Sequence, residues 1–213
     1  MNLVARCRRG SRTFRRLLTM FLLLWACGPV HALTWTESAA TSMSFPNRWS
    51  SITSSFDGIR LAAVVSGNAG GNIWTSTNSG ATWTENTASP GSSKQWSSIT
   101  SSRHGNKLAA SVSFGNIWTS TDFGATWTED TSVGSTQQWN FITSSSDGTK
   151  LVAVVYGGNI WASTDSGATW TNNTSPGSTK LWKSITSSSD GRKLAAVVQY
   201  GNCLLYTSPS PRD

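Results

Sequence analysis

Cysteine is nearly missing from this 213-residue chain: Cys7, Cys27 and Cys203 are the only three, and none lies between residues 33 and 202. That excludes a disulfide framework and any thiolate metal site over most of the sequence. Histidine is scarcer still. His104 is the one histidine past residue 32, so no histidine cluster is available, and in "RHG" it reads as a solvated turn residue. Charge is sparse at 13%. No segment past the N-terminus carries a 3.6-residue apolar period, which excludes a helical solenoid. No cofactor or metal pattern is present, and none is expected to bind.

Acids are absent from the first 16 residues, where Arg6, Arg8, Arg9, Arg12, Arg15 and Arg16 account for nearly all of the formal charge of +7. Without them, 11 basic residues face 10 acids. The rest of the chain has no electrostatic footprint for nucleic acid. The arginines precede the apolar run "LLTMFLLLWACG" and the small residues Val30 and Ala32. That order reads as a secretory signal peptide over residues 1–32, cleaved after Ala32, and places the protein outside the cytoplasm. The run is shorter than the roughly 20 residues of a stable membrane span. An uncleaved anchor and an organellar transit peptide are the alternatives.

What the chain has in abundance is tryptophan, and it recurs. Trp83, Trp127 and Trp170 stand 44 and 43 residues apart, and Trp96, Trp139 and Trp182 stand 43 apart. Trp74, Trp118 and Trp161 form a third series, and Trp49 and Trp35 join the second and first. One period holds four strand-like pieces, in the third copy "WNFITSS", "KLVAVVY", "NIWAST" and "ATWTNNT". They are rich in β-branched and aromatic residues. "SDG" at Ser146–Gly148 suits a tight hairpin, and Gly157-Gly158 supplies the next break. Four strands in about 40–45 residues is the size of one β-propeller blade. The fold class is therefore all-β, with four-stranded antiparallel blades over residues 33–202.

The third break is the octapeptide spelled "STNSGATW", "STDFGATW" and "STDSGATW". This S-x-D-x-G-x-x-W pattern resembles the Asp-box, or BNR repeat, of sialidases, xyloglucan-degrading propeller hydrolases, the sortilin ectodomain and the photosystem II assembly factors. Ser120, Asp122, Gly124 and Trp127 match it, as do Ser163, Asp165, Gly167 and Trp170. Ser76, Gly80 and Trp83 match with Asn78 in place of the aspartate. The resemblance implies a propeller and not an activity, because those families share the box and not a function. The aspartates are expected to tie turns through backbone amides, and the recurring tryptophans to fill the gaps between blades.

Resemblance to sialidases would imply an arginine triad, a tyrosine–glutamate nucleophile pair and an aspartate acid/base. The isolated arginines between residues 33 and 202 are Arg48, Arg60, Arg103 and Arg192. Arg60, Arg103 and Arg192 sit at one repeated hairpin rather than converging. Glycoside hydrolysis needs two carboxylates across a bond, but the acids here recur at repeat positions: Asp57, Asp147 and Asp190 in hairpins, Glu37, Glu85, Glu129 and Asp130 after the boxes. No catalytic residue is assigned, and the enzyme question leans to no. The expected role is a binding or scaffold module for a glycan or a protein. The alternative is a fragment of an Asp-box glycoside hydrolase with its active site elsewhere. A lumenal assembly factor for a membrane complex is a third reading.

In a propeller the loops joining second to third strands share a face with those joining blades. The candidates on that face are Phe114, Tyr156 and Tyr200, each beside a glycine, with Arg48, Gln95 and Gln138 from the inter-blade loops. Aromatic rings flanked by amides and cations suit glycans or peptides. Ordinary turn packing is the competing account. Asn172 and Asn173 each open an N-x-S/T sequence, a glycan acceptor in a eukaryotic source.

The repeat begins partway through a unit. "LTWTE" at residues 33–37 is a lone fourth strand, and past Asn202 the expected "IWTSTDSGATW" gives way to "CLLYTSPSPRD". Residues 203–213 form a non-repeat tail that resembles translated adapter sequence, with Pro209 and Pro211 opposing a central strand. The expectation is an open arc of three blades and a partial fourth, a poorly packed tail, and self-association through open blade edges. A compact four-bladed form with a natural tail is the alternative.

Overall fold

A computed structural model describes residues 48–66, 71–87, 94–175 and 179–207. The leader, "LTWTE" and residues 208–213 lie outside them. The described residues contain strands and no α-helix. The first unit is β1 (Trp49–Ser54), β2 (Leu61–Val65), β3 (Ile73–Ser76) and β4 (Thr84–Asn86). The second is β5 (Trp96–Ser101), β6 (Leu108–Gly115), β7 (Ile117–Ser120) and β8 (Thr128–Asp130). The third is β9 (Gln137–Ser144), β10 (Leu151–Gly158), β11 (Ile160–Ser163) and β12 (Thr171–Asn173). Then come β13 (Lys180–Ser187), β14 (Lys193–Val198) and β15 (Cys203–Thr207).

Each unit is an antiparallel meander. Leu151 of β10 pairs with Ser144 of β9 on one side and Ser163 of β11 on the other, and Ile160 of β11 pairs with Asn173 of β12. The fourth strand is shorter than its sequence suggests, because Ala168–Trp170 are taken up by the turn. The second strand reads "LVAVV" rather than alternating, because both its faces are covered: Leu151 to Val155 are all buried. The first strands stand side by side, β1 next to β5, β5 next to β9, β9 next to β13. β13 and β1 do not pack side by side, so this row does not close into a ring among the described residues.

Three apolar layers lie between successive units. The first joins Ala62, Val64 and Ile73 to Trp96, Ile99, Trp118 and Trp127. The second joins Ala109 and Ile117 to Trp139, Ile142 and Leu151, with Trp161 and Trp170 packed alongside. The third joins Val152, Val154 and Ile160 to Trp182, Ile185 and Ala196. The recurring tryptophans are thus largely inter-unit core. In the first unit Trp74 and Trp83 pack on Trp49 instead, and Trp49 is 47% exposed, because no unit covers that side of β1 among the described residues.

The described part of the tail continues the sheet. Cys203–Thr207 pairs along β14 as a third strand, with Leu204 opposite Ala196, the position held by Trp118 opposite Ala110 and Trp161 opposite Ala153. Backbone pairing asks little of the side chains, so "CLLYT" can take this place. Its packing is thin: Leu205 and Tyr206 are exposed. An apolar cavity bordered by Ile160, Ile185, Leu194 and Leu204 lies where the other layers hold tryptophan.

Candidate functional site

The octapeptide turns are built the same way three times. The Ser120 hydroxyl donates to Asp122 Oδ1 at 2.8 Å and accepts the Gly124 amide at 2.9 Å. Asp122 Oδ1 also accepts the Thr126 amide at 2.9 Å, and Oδ2 accepts the Thr126 hydroxyl. Ser163, Asp165, Gly167 and Thr169 repeat the pattern. With Ser76 and Asn78 one bond reverses: Asn78 Nδ2 donates to Thr82 Oγ1 at 2.8 Å, so the threonine hydroxyl accepts. The Gly80 amide donates to the Ser76 hydroxyl oxygen at 3.0 Å. Gly124 has φ +87°, and a Cβ there would stand 3.1 Å from Thr75 Cγ2. The threonines at 82, 126 and 169 were not singled out from sequence, although "GATW" is identical in all three copies.

These contacts hold the carboxylates ionised. The Thr169 hydroxyl, its amide and the Ser163 hydroxyl bring Asp165 from the ordinary 3.8 down to about 2. Asp122 is lowered by the Thr126 hydroxyl first. In the hairpins, the hydroxyls of Ser55, Ser145 and Ser188 lower Asp57, Asp147 and Asp190. Such groups are tied up as acceptors and poorly matched to proton transfer near neutrality. In the second hairpin His104 is exposed, and Asn106 Oδ1 accepts from Ser102 at 3.0 Å in place of an aspartate. No three His, Cys, Asp or Glu side chains gather among the described residues. Glu85 and Glu129 instead accept the amides of Asn72 and Asn116 at 2.6 and 3.1 Å.

The same hairpins carry a cation that reaches into the next unit. The Arg60 guanidinium lies 3.8 Å over the Phe123 ring. Lys107 Nζ donates to Ser166 Oγ at 3.1 Å, and Lys150 Nζ to the Asp190 carbonyl at 2.8 Å. Arg103 stacks on Phe56 at 4.3 Å. These cations are inter-unit ties rather than a convergent anion site.

The opposite face is made by the tips of β2, β6, β10 and β14 and the loops entering β5, β9 and β13. Gly71 bridges Lys94, Gly115 pairs with Gln137 and Gly158 with Lys180. Ser113 pairs with Gln138 of the next unit, and its amide donates to the Gln95 carbonyl at 2.8 Å. The tip residue Phe114 directly follows Ser113, which is tied to both Gln95 and Gln138. Arg48 holds the corresponding place in the first unit, its carbonyl accepting the Ser66 amide at 2.8 Å. Phe114 has φ 58° and Tyr200 φ 57°, at the position where the third unit has Gly157 with φ 71°. The two residues are 68% and 96% exposed. Tyr156 is not equivalent to them. It lies one residue earlier, half-buried, and its hydroxyl donates to Gln199 Oε1 at 3.0 Å, so it ties units three and four together.

The arrangement matches known architectures. YCF48 from Cyanidioschyzon merolae superposes with a TM-score of 0.60 at 17% identity, over 76% of this chain and 51% of that one. The fold is an all-β propeller. A structure titled YCF48 bound to D1 peptide gives a TM-score of 0.57 at 15% identity, over 84% of this chain and 59% of that one. The Niastella koreensis GH74 enzyme gives 0.55 at 21% identity, over 72% of this chain and 26% of that one. This propeller chain thus spans about half the length of the YCF48 chains. No family model and no curated protein matches it.

Proposed function

We propose that this propeller is a secreted, non-catalytic binding module whose contact face is the one carrying Phe114, Tyr200, Gln95, Gln138 and Arg48. The carrying observation is conformational. A bulky side chain at positive φ costs roughly 1–2 kcal/mol relative to glycine, and Gly157 occupies the same position without that cost. Two exposed aromatic rings held in this way fit a surface selected for contact. An extended peptide is the favoured partner class, since amides and aromatic rings at the blade tips suit a backbone and its apolar side chains. YCF48, one of the similar propellers, has a structure titled as bound to a peptide.

The test compares wild type with Phe114→Gly/Tyr200→Gly on peptide and glycan arrays. Loss of peptide binding with an unchanged melting point supports the reading. Binding that is unaffected by the double substitution overturns it. Glycan binding alone would move the partner class to sugars. The competing reading is a fragment of an Asp-box glycoside hydrolase. It predicts xyloglucan or sialoside turnover by a longer product, abolished by a single carboxylate substitution.

A further inference from the structure

Asn172 and Asn173 overlap as acceptor sequences, "NNT" and "NTS", and the fold separates them. Both lie on β12, the outermost strand of its blade, which among the described residues pairs only with β11. Asn172 stands opposite Trp161 in the register. In the first two blades that position is Glu85 opposite Trp74 and Glu129 opposite Trp118. Each glutamate is held by an asparagine amide, from Asn72 and Asn116. In the third blade the glutamate has become Asn172, which is exposed and makes no such bond. Asn173 is the opposite case. Its Oδ1 accepts the Ser175 amide at 2.9 Å, and it borders the apolar cavity between blades with Ile160 and Ile185. The corresponding Asn86 and Asp130 are also engaged, with Gly124 and Ser132.

We propose that Asn172, and not Asn173, carries an N-linked oligosaccharide. The Asn172 Nδ2 bonds to the anomeric carbon of a lipid-diphosphate-linked oligosaccharide. The bond from that carbon to the diphosphate oxygen breaks, the lipid diphosphate leaves, and the amide proton passes to a base of the transferase. A glycan at Asn172 projects from the rim and screens the free outer edge of β12 from strand pairing. A glycan at Asn173 would displace the turn to Ser175 and enter the cavity. The proposal rests on the export reading of the leader.

The test expresses the full chain in a eukaryotic secretory host, once with its own leader and once with a replacement leader. Retained and secreted chains are both read for an endoglycosidase-sensitive shift. One glycan is expected in wild type and in Ser175→Ala, which keeps "NNT". None is expected in Thr174→Ala, which keeps only the Asn173 sequence, nor in Asn172→Gln. Release by an amidase that hydrolyses the asparagine–glycan bond should leave aspartate at position 172. A shift that persists in Thr174→Ala, or no shift with the replacement leader, overturns the proposal. A shift with the replacement leader alone sinks the leader reading and leaves the site standing.

Discussion

The indole Nε1 of Trp139 donates to the carbonyl oxygen of Gly115, 3.1 Å away in the preceding blade. Trp96 does the same to Gly71 at 2.9 Å, and Trp182 to Gly158 at 3.0 Å. Each blade is latched to its neighbour by a buried tryptophan donating to a glycine carbonyl. A Cβ on Gly115 would stand 2.7 Å from Val112 Cγ1.

The latch should be measurable. Trp139→Phe keeps most of the apolar ring and loses the donor, for about 1 kcal/mol. Trp139→Ala leaves a cavity in the second layer and should cost about 3–5 kcal/mol. Urea unfolding of both variants checks this. No loss in Trp139→Phe would show that the hydrogen bond contributes nothing beyond the ring.

One position invites a stabilising change. Asn86 Nδ2 donates across blades to the Gly124 carbonyl at 2.6 Å. Its counterpart is Asp130, whose Oδ2 is buried without a partner. Asp130→Asn should supply the missing donor toward Gly167 and add about 1 kcal/mol. A melting point at or below wild type would contradict it.

The turn motifs divide their contributions by chemistry. Asp122→Ala removes acceptors for Ser120 and Thr126 and should cost about 1–2 kcal/mol. Trp127→Ala empties part of the first layer and should cost about 3–5 kcal/mol. Denaturant titrations that show no loss for either would contradict the structural role.

Acid should weaken the blades through these same carboxylates. Folding lowers the pKa of Asp165 and Asp122. Their stabilisation is therefore complete above the unfolded value near 3.8 and is lost at lower pH, for Asp165 as pH falls toward about 2. Melting points followed by tryptophan fluorescence should drop across that window. Asp122→Asn/Asp165→Asn should flatten the drop, and an unchanged slope would assign it to other groups.

Phe114→Gly should leave the fold intact. Relief of roughly 1–2 kcal/mol of backbone strain outweighs or matches the entropic cost of glycine, about 0.5–1 kcal/mol. A clear fall in melting point would mean that the ring packs against the protein.

The blade period, the four-strand content and the turn motifs were legible because they are local. Periodic tryptophans, "DG" hairpins and the octapeptide set short-range geometry. The core role of most tryptophans was legible too, since a residue repeated once per unit has a structural reason. Other features depended on register between units. From sequence, Phe114, Tyr156 and Tyr200 look alike, each beside glycine. One residue of offset turns Tyr156 toward Gln199 and leaves the other two on the tips, because a single-residue step on a strand reverses its face.

The amino-acid sequence alone therefore determined an all-β repeat with tied turns, since hairpin residues and strand formers act within a few positions of themselves. Only the tertiary structure decided which side chains meet across blades: Arg60 over Phe123, Lys107 on Ser166, Trp139 on Gly115. Those partners lie 24 to 63 residues apart in the chain. Packing of one sheet on the next brings them together, and no local signal specifies it. The same packing separated Asn172 from Asn173, by leaving one on the rim and turning the other inward.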